Sequence, residues 1–299
     1  MTSSRESHQP GSIVVGVDGS APSRSAVAWA MRRGAVTGES VVLTHIVVDD
    51  VTVPEPYIDP EVRSTALAFL QTELRDARTL DPHVSVSTEL LQGDPLDQLV
   101  AASEHGSMLA IGTHKTGFVQ GRVFGSRFIQ LAGLSFSPVA FIPNSTSHRR
   151  TGIVVGVGDA DQDEETIRFA AHEADHLGQE LIIIHCRPAG LDDDDAESPI
   201  RWDPVADAAE VIARRDHPDL TIRRRTVNRG PAEGLVDGAM NASLLVIGRS
   251  QRSTRQPGSV GTIVHDVLLN LGGPTVVVHD TALRRRTTFA RHRRTDQLE

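Results

Sequence analysis

A glycine-rich stretch after an apolar run carries the residue types that bind an anion. Gly112 closes the run, Gly117 and Gly121 follow it, and Gly125 and Ser126 precede a segment of helical period. Glycines let a backbone approach phosphate oxygens closely, and the first turn of a helix offers backbone N–H groups that no helical carbonyl accepts. This arrangement predicts a phosphate-binding loop, although a plain strand-to-helix connection would also use these glycines.

Lys115 is the only lysine of the chain, and it lies inside this loop. Residue 114 is His114 where a P-loop would have glycine, and the loop also lacks the G-x-G-x-x-G spacing of dinucleotide-binding proteins. A lysine ammonium beside a triphosphate would form charge-assisted hydrogen bonds of about 1.5–3 kcal/mol, against a cost of roughly 1 kcal/mol for a non-glycine residue at positive φ. We therefore expect Lys115 to bind phosphate; the alternative is that its side chain fills the space of the phosphates.

The chain contains two copies of one sequence pattern. IVVGVDGS at Ile13–Ser20 is matched by IVVGVGDA at Ile153–Ala160. Four further matches follow in the same order: Val41–Val47 with Leu181–Arg187, Gly93–Val100 with Arg229–Val236, Ser107–Lys115 with Ser243–Gln251, and Ser137–Pro143 with Gly273–His279. Ordered matches of this kind indicate tandem copies of one domain.

Each copy alternates short apolar runs with segments of helical period. In the first copy the predicted strands are Ile13–Val17, Val41–Val48, Val84–Leu90, Met108–Gly112 and Val139–Ile142. Helical spacing relates Val27, Ala30, Met31 and Gly34, and also Val62, Ala66, Phe69, Leu70 and Leu74. Alternating strands and helices predict an α/β fold of two tandem domains, each with a doubly wound parallel sheet. Ligands of such sheets bind at the carboxyl ends of the strands, which places VDGS, THIV and GTHKTG on one rim.

The predicted domain boundaries follow from the repeat. Residues 13–146 form the first domain and residues 151–280 the second, with the polar stretch Asn144–Gly152 as the linker. The polar residues 1–12 and the arginine-rich tail 281–299 lack a core pattern, so we expect both ends to be disordered.

Composition argues against several classes of protein. A formal net charge of -9 argues against the body of the protein being a nucleic-acid binder, although the arginine-rich tail could contact nucleic acid or anionic lipid. The 39% of hydrophobic residues are enough for a packed core. A single cysteine, Cys186, rules out a disulfide within the chain and fits a reducing compartment. No apolar run approaches the roughly 20 residues that span a bilayer, and the polar N-terminus lacks the apolar region of a secretory signal. We therefore expect a cytoplasmic protein that does not bind membranes.

Together these motifs resemble the universal stress proteins. The resemblance lies in the tandem IVVGVDGS, the THIV of the second strand, the GDP before a helix, and the glycine loop followed by PVAFIP, and it covers Ile13 to about His279. It implies Rossmann-like domains of the adenine-nucleotide alpha hydrolase type. ATP-binding members of the family carry G-x2-G-x9-G-S/T in this loop. The first copy has the outer glycines of that pattern and Lys115 in place of the middle one.

The resemblance implies that ATP, with or without Mg2+, binds in the first domain. Asp18 would hold the ribose or adenine end of the nucleotide, beside Gly16 and Val17. Further contacts would come from Ile46 and Ile111 at the adenine and from Gly112, Lys115, Gly125, Ser126 and Arg127 at the phosphates. From the residues alone, the alternative is that Asp18 is the N-cap of the helix that follows it.

The second copy departs from the family pattern. Gly158 stands where the first copy has Asp18, and Gln251 takes the place of the middle glycine. A second site would use Gly248, Gly261 and Thr262, with arginines nearby at Arg249, Arg252 and Arg255. Without the carboxylate, we expect this site to be weak or empty.

Two histidines, His45 and His185, recur at equivalent places in the two copies. Neither is accompanied by carboxylates or cysteines at a spacing typical of metal ligands. We expect both to be hydrogen-bonded residues at the edge of the core, and we predict no metal site.

Three functions remain open at this point. The first is an ATP-binding protein of the stress response, a nucleotide-dependent sensor or regulator with protein partners that the residues do not identify. The second is a stress-response scaffold that binds no nucleotide and acts through protein–protein interaction. The third is an ATP hydrolase or transferase, for which the sequence shows no nucleophile–base pair, so we predict no catalytic residue and no enzyme. The intact Asp18 and Gly125–Ser126 favour the first.

Oligomeric state follows only from the resemblance. The family's domains pair through their last strands, which are PVAFIP and PTVVVH here. A tandem chain can satisfy this pairing within itself, and a further homodimer is left open.

Overall fold

The computed structural model describes residues 11–48, 58–113, 124–144, 150–187, 203–249 and 260–279, with the backbone alone at 124–128. The chain divides into two compact units, Met1–Ser147 with Leu269–Pro274 and His148–Leu268 with Thr275–Glu299. Nearly all of both ends predicted to be disordered, most of the predicted linker and Lys115 lie outside the described residues.

The first unit alternates strands and helices as its apolar pattern predicts. Its described elements are β1 (Ile13–Gly16), α1 (Ala21–Thr37), β2 (Val41–Val47), α2 (Pro60–Leu80), β3 (Val86–Gln92), α3 (Pro95–Ala102), β4 (Met108–Thr113), α4 (Phe124–Leu134) and β5 (Val139–Pro143). These strands are parallel and lie in the order β3-β2-β1-β4-β5. The predicted doubly wound α/β fold is confirmed.

β1 lies at the centre of this sheet. Ile13, Val14 and Val15 are fully buried, and Val15 pairs with Leu43 on one side and with Ala110 on the other. Burying each such side chain stabilises the fold by about 1.5–3 kcal/mol. The strand order reverses between β1 and β4, which makes their carboxyl ends the place where sheets of this class bind ligands.

Helix α1 packs on the sheet through small residues together with the larger Val27 and Met31, which are also buried. Ser20 is its N-cap and accepts the backbone N–H of Ser23 at 3.2 Å, and Gly38 ends it in the left-handed conformation with φ of 75°. Ala26, Ala30 and Gly34 are buried on the inner face. The predicted helical spacing of this segment is therefore confirmed.

Two details of the first unit differ from the sequence prediction. The helical spacing predicts that Val62 lies on the apolar face of α2, but it is 47% exposed, because the buried face begins one turn later, at Ala66. Strand β3 runs from Val86 to Gln92, two residues later than predicted. Val84 is buried but precedes the ladder, so its apolar character indicates burial rather than strand pairing.

The second unit repeats the architecture. Its described elements are β6 (Ile153–Val157), α5 (Glu164–His176), β7 (Leu181–Cys186), α6 (Pro204–Asp216), β8 (Ile222–Val227), α7 (Pro231–Gly238), β9 (Leu244–Gly248), α8 (Thr262–Leu269) and β10 (Thr275–Val278). The strands are again parallel, in the order β10-β9-β6-β7-β8. Across both units, no helix in the described part of the chain is long and apolar enough to cross a membrane.

The helix after the first strand of each unit begins at a different point. Ile13 and Ile153 open β1 and β6, and α1 starts eight residues after Ile13, whereas α5 starts eleven residues after Ile153. In the second unit the extra residues form a turn, in which the Asp159 carboxylate accepts the backbone N–H groups of Asp161 and Gln162 at 3.1 Å each. The rim of the second unit therefore differs from that of the first.

Candidate functional site

Asp18 lies exposed directly after β1, at the carboxyl end of the central strand. Its Oδ1 accepts the backbone N–H of Ser20 at 2.9 Å, and its own N–H donates to Ser23 Oγ at 3.3 Å. The N-cap of α1 is Ser20, so the alternative that Asp18 caps the helix is wrong. Among the described residues, nothing donates a hydrogen bond to Asp18 Oδ2. This oxygen is available to a ligand at the rim.

The neighbouring strand β2 fixes the backbone beside Asp18. The N–H of Val17 donates to the Thr44 carbonyl at 2.9 Å, and His45 Nδ1 lies 2.8 Å from the Val17 carbonyl oxygen. Since a carbonyl only accepts, Nδ1 carries the proton and donates it. His45 is thus hydrogen-bonded at the edge of the core, as predicted. Ile46, the next residue of β2, is half-buried at the same end of the sheet.

Gly112 brings the end of β4 against the first turn of α1. A Cβ at this position would lie 2.1 Å from the carbonyl carbon of Pro22 and 2.4 Å from the backbone nitrogen of Ser23. Only glycine fits here, because the obstacle is backbone rather than a side chain that can rotate. Ile111 is buried next to it, and its Cδ1 lies 3.0 Å from where a Cβ on Gly16 would be.

The remaining predicted phosphate residues follow β4. Gly125, Ser126 and Arg127 belong to the first turn of α4, which begins at Phe124, earlier than the sequence suggested. Backbone N–H groups in a first helical turn have no carbonyl partner within the helix and are available to an anion. Lys115 lies outside the described residues. The predicted residues in or directly after the strands, which are Gly16, Val17, Asp18, Ile46, Ile111 and Gly112, share the carboxyl rim of the first sheet.

Helix α2 contributes residues to this rim that the sequence analysis missed. The ring of Phe69 lies 4.8 Å from the His45 ring between centroids, and its Cε2 would be 3.2 Å from a Cβ on Gly19. Glu73 is buried, and its pKa is raised, mainly by burial; the charge of Arg24 lowers it, and the charges of Asp76 and Asp18 raise it further. The helical pattern predicts that this face of α2 is buried, but it does not predict which loop the face contacts.

The second unit places a carboxylate where the first has a hydroxyl. Asp163 Oδ2 accepts the backbone N–H groups of Gly158 at 2.8 Å and Asp159 at 3.1 Å. A Cβ on Gly248 would lie 2.7 Å from Thr166 Oγ1 and 3.3 Å from Asp163 Oδ1. The pKa of Asp163 is raised overall. Burial is the main cause, the two N–H groups act against it, and the charge of Asp159 adds to it. The end of β9 is therefore next to a partly desolvated negative charge.

The other predicted residues of the second site lie at the start of α8. Thr262 begins the helix, and the Gly261 carbonyl accepts the His265 N–H at 3.0 Å. Gly261 precedes α8, whereas Gly125 and Ser126 are the second and third residues of α4, so the two pairs lie at different points of their helix starts. Gln251, Arg252 and Arg255 lie outside the described residues.

His185 has a carboxylate partner that the sequence analysis did not find. Its Nδ1 lies 2.8 Å from Asp203 Oδ2, and the Thr226 hydroxyl donates to the same oxygen at 2.6 Å. Asp203 also caps α6 and accepts the N–H groups of Val205 and Ala206. Burial raises the pKa of Asp203, but the hydrogen bonds from Thr226, His185 and Ala206 outweigh it, and the pKa is lowered overall. Within the described residues, no group of three or more His, Cys, Asp or Glu side chains could hold a metal ion.

Asp203→Asn should destabilise the second unit at pH 7 by about 1–3 kcal/mol, because it weakens a cap and removes a charged acceptor. A lowered pKa in the folded state means that the carboxylate stabilises the fold above its unfolded pKa and loses this effect as pH falls through the folded value. The deficit of the variant should therefore shrink as urea unfolding is repeated from pH 7 towards pH 3. The exposed Asp219→Asn is the control, and a deficit independent of pH would contradict the assignment.

Comparisons with known proteins agree with the fold and the repeat. The model of the Universal stress protein family matches residues 11–143 and again 150–279. Universal stress protein Rv2005c of Mycobacterium tuberculosis is 26% identical over 302 residues, covering 94% of this chain and 100% of that protein. The crystal structure of a universal stress protein from Archaeoglobus fulgidus superimposes with a TM-score of 0.70 at 18% identity, covering 91% of this chain and 99% of that chain.

A smaller structure from the same archaeon, a universal stress protein in complex with dAMP, aligns with 44% of this chain and 99% of its own, at 27% identity and a TM-score of 0.35. The family model matches both units over nearly their whole described length. The chain belongs to the universal stress protein family.

Proposed function

We propose that this chain is an ATP-binding universal stress protein that acts in the stress response as a nucleotide-dependent sensor or regulator, with binding mainly in the first unit. One observation carries the proposal. Asp18 is exposed at the switch point of the sheet, and its Oδ2 accepts no hydrogen bond from the described residues. A carboxylate oxygen in this position suits the hydroxyl groups of a ribose.

The surrounding residues support an adenine nucleotide in one orientation. Ile46 and Ile111 offer apolar surface for the base at the ends of β2 and β4. Gly112, near the end of β4, allows the first turn of α1 to pack directly against the strand, and the first turn of α4 supplies N–H groups for phosphate. Lys115, Gly125, Ser126 and Arg127 complete the proposed phosphate contacts. Mg2+ would enter bound to the phosphates, and we assign it no protein ligand.

The wider role follows from the family and the composition. We propose a cytoplasmic protein that acts through binding rather than catalysis, with pairing of its two domains through their last strands. Its protein partners are not identified by these residues. A scaffold that binds no nucleotide is the alternative outcome of the experiments below.

Calorimetric titration of the full chain with ATP and with adenosine tests the proposal, and Lys115→Gly sharpens it. If the lysine contacts phosphate, the variant should bind ATP about tenfold more weakly, the equivalent of one charge-assisted hydrogen bond, and adenosine equally well. The difference should shrink as salt is raised, because a partly exposed ion contact is screened.

Tighter ATP binding by Lys115→Gly would show that the lysine blocks the loop. A wild-type chain that binds neither ATP nor adenosine would reject the proposed function and favour the scaffold.

A further inference from the structure

The two units differ in the group that binds the loop after their first strand. In the first unit the Ser23 hydroxyl accepts one backbone N–H, that of Asp18, at 3.3 Å. In the second unit the Asp163 carboxylate accepts two, those of Gly158 and Asp159, at 2.8 and 3.1 Å. Ser23 and Asp163 are equivalent positions, because each lies ten residues after the isoleucine that opens its unit. The neutral hydroxyl of Ser23 in the first unit is thus replaced by the carboxylate of Asp163 in the second.

Asp163 lies between the loop after β6 and the end of β9, the two segments that would contact the ribose and the phosphates of a nucleotide. Its Oδ2 holds the loop after β6, and its Oδ1 is 3.3 Å from the Cβ position of Gly248, the last residue of β9. In the first unit the equivalent corner joins the loop of Asp18 to Gly112, where the proposed ribose and phosphate contacts begin. An anion built into this corner competes with any phosphate that would enter it.

The charge of Asp163 is not offset by a cation in the described part of the chain. Its hydrogen bonds come from backbone N–H groups, and no described lysine, arginine or histidine forms an ion pair with it. The adjacent Asp159 is also acidic and accepts from Asp161 and Gln162 in the same turn. Asp163 and Asp159 therefore place two carboxylates at this corner, and at short range in a partly desolvated setting they repel a phosphate.

We propose that Asp163 occupies the anion position of the second unit and excludes nucleotide phosphates from it. This inference rests on the proposed function of the first unit. ATP is then excluded from the second unit by the charge of Asp163 as well as by the absence of a carboxylate at Gly158.

Calorimetric stoichiometry of ATP binding to the full chain tests this with two variants. Gly158→Asp restores the ribose carboxylate but keeps Asp163, so it should bind one ATP per chain, like the wild type. Gly158→Asp/Asp163→Ser also restores the neutral hydroxyl of the first unit and should bind two. A single-variant chain that already binds two, or a double-variant chain that still binds one, overturns the proposal.

The reverse exchange in the first unit keeps the test decisive if the double variant folds poorly. Ser23→Asp should weaken ATP binding about tenfold or more through repulsion of phosphate, while adenosine binding changes little. Ser23→Asn has nearly the same size without the charge and should retain ATP, and circular dichroism confirms that both variants are folded. Equal ATP affinities of the two variants would overturn the proposal. Absence of ATP binding in the wild type would instead reject the proposed function.

Discussion

Gly112→Ala should destabilise the first unit by about 3 kcal/mol or more, at or beyond the upper end of typical overpacking costs. The added Cβ would lie 2.1 Å from the carbonyl carbon of Pro22, 2.2 Å from its oxygen and 2.4 Å from the nitrogen of Ser23. These are backbone atoms in the first turn of α1, so relief requires the helix to move away from β4. Such a movement would open the corner proposed to hold the nucleotide, and ATP affinity should fall together with stability.

Gly248→Ala is the matched control, since Gly248 ends β9 as Gly112 lies near the end of β4. Its Cβ would meet Thr166 Oγ1 at 2.7 Å and Asp163 Oδ1 at 3.3 Å, both of them ends of side chains that can turn aside. We expect a cost of about 1 kcal/mol. Differential scanning calorimetry of the two full-length variants measures both. Equal losses would show that α1 is not held against β4 as closely as the structure indicates.

Asp18→Ala should lower the ATP affinity of the first unit by about 10-fold to 100-fold, the equivalent of losing one or two hydrogen bonds to a charged group. The melting temperature of the free protein should change little, because Ser20 and not Asp18 caps α1 and the Asp18 carboxylate is exposed. Calorimetry with ATP measures the first effect and a thermal melt the second.

Asp18→Asn separates loop shape from ligand contact. The amide oxygen still accepts the Ser20 N–H, but the negative charge is lost. If the alanine variant loses affinity only because the loop rearranges, the asparagine variant should bind ATP like the wild type. We expect it to bind less tightly than the wild type and more tightly than Asp18→Ala.

The fold could be predicted largely from the sequence. Buried parallel strands appear as short apolar runs, and the five repeated segments occur in the same order in both copies. Ile13–Val15 read as a buried strand, and they form the centre of the first sheet. The exposure of Val62 was not predictable, since periodicity indicates which face is apolar but not where the sheet beneath it ends.

The site was predictable only in part. Asp18 and Gly112 were found from their motifs, but the reason for Gly112 was not: it is a glycine because the backbone of α1 packs against it. Asp163 and Asp203 were missed for different reasons. Asp163 accepts N–H groups only four and five residues before it, in a turn whose shape the sequence analysis did not predict. Asp203 contacts His185, eighteen residues earlier in the chain, and a contact of this kind follows from the packed fold and leaves no spacing in the sequence.

Native mass spectrometry of the full chain mixed with ATP tests the central claim most directly, because it counts bound nucleotides on intact molecules. We predict that each wild-type chain retains one ATP and that Asp18→Ala, at the same concentrations, retains little or none. A wild-type chain that carries no ATP, or an Asp18→Ala chain that retains it as fully as the wild type, would contradict the assignment of this rim as an ATP site.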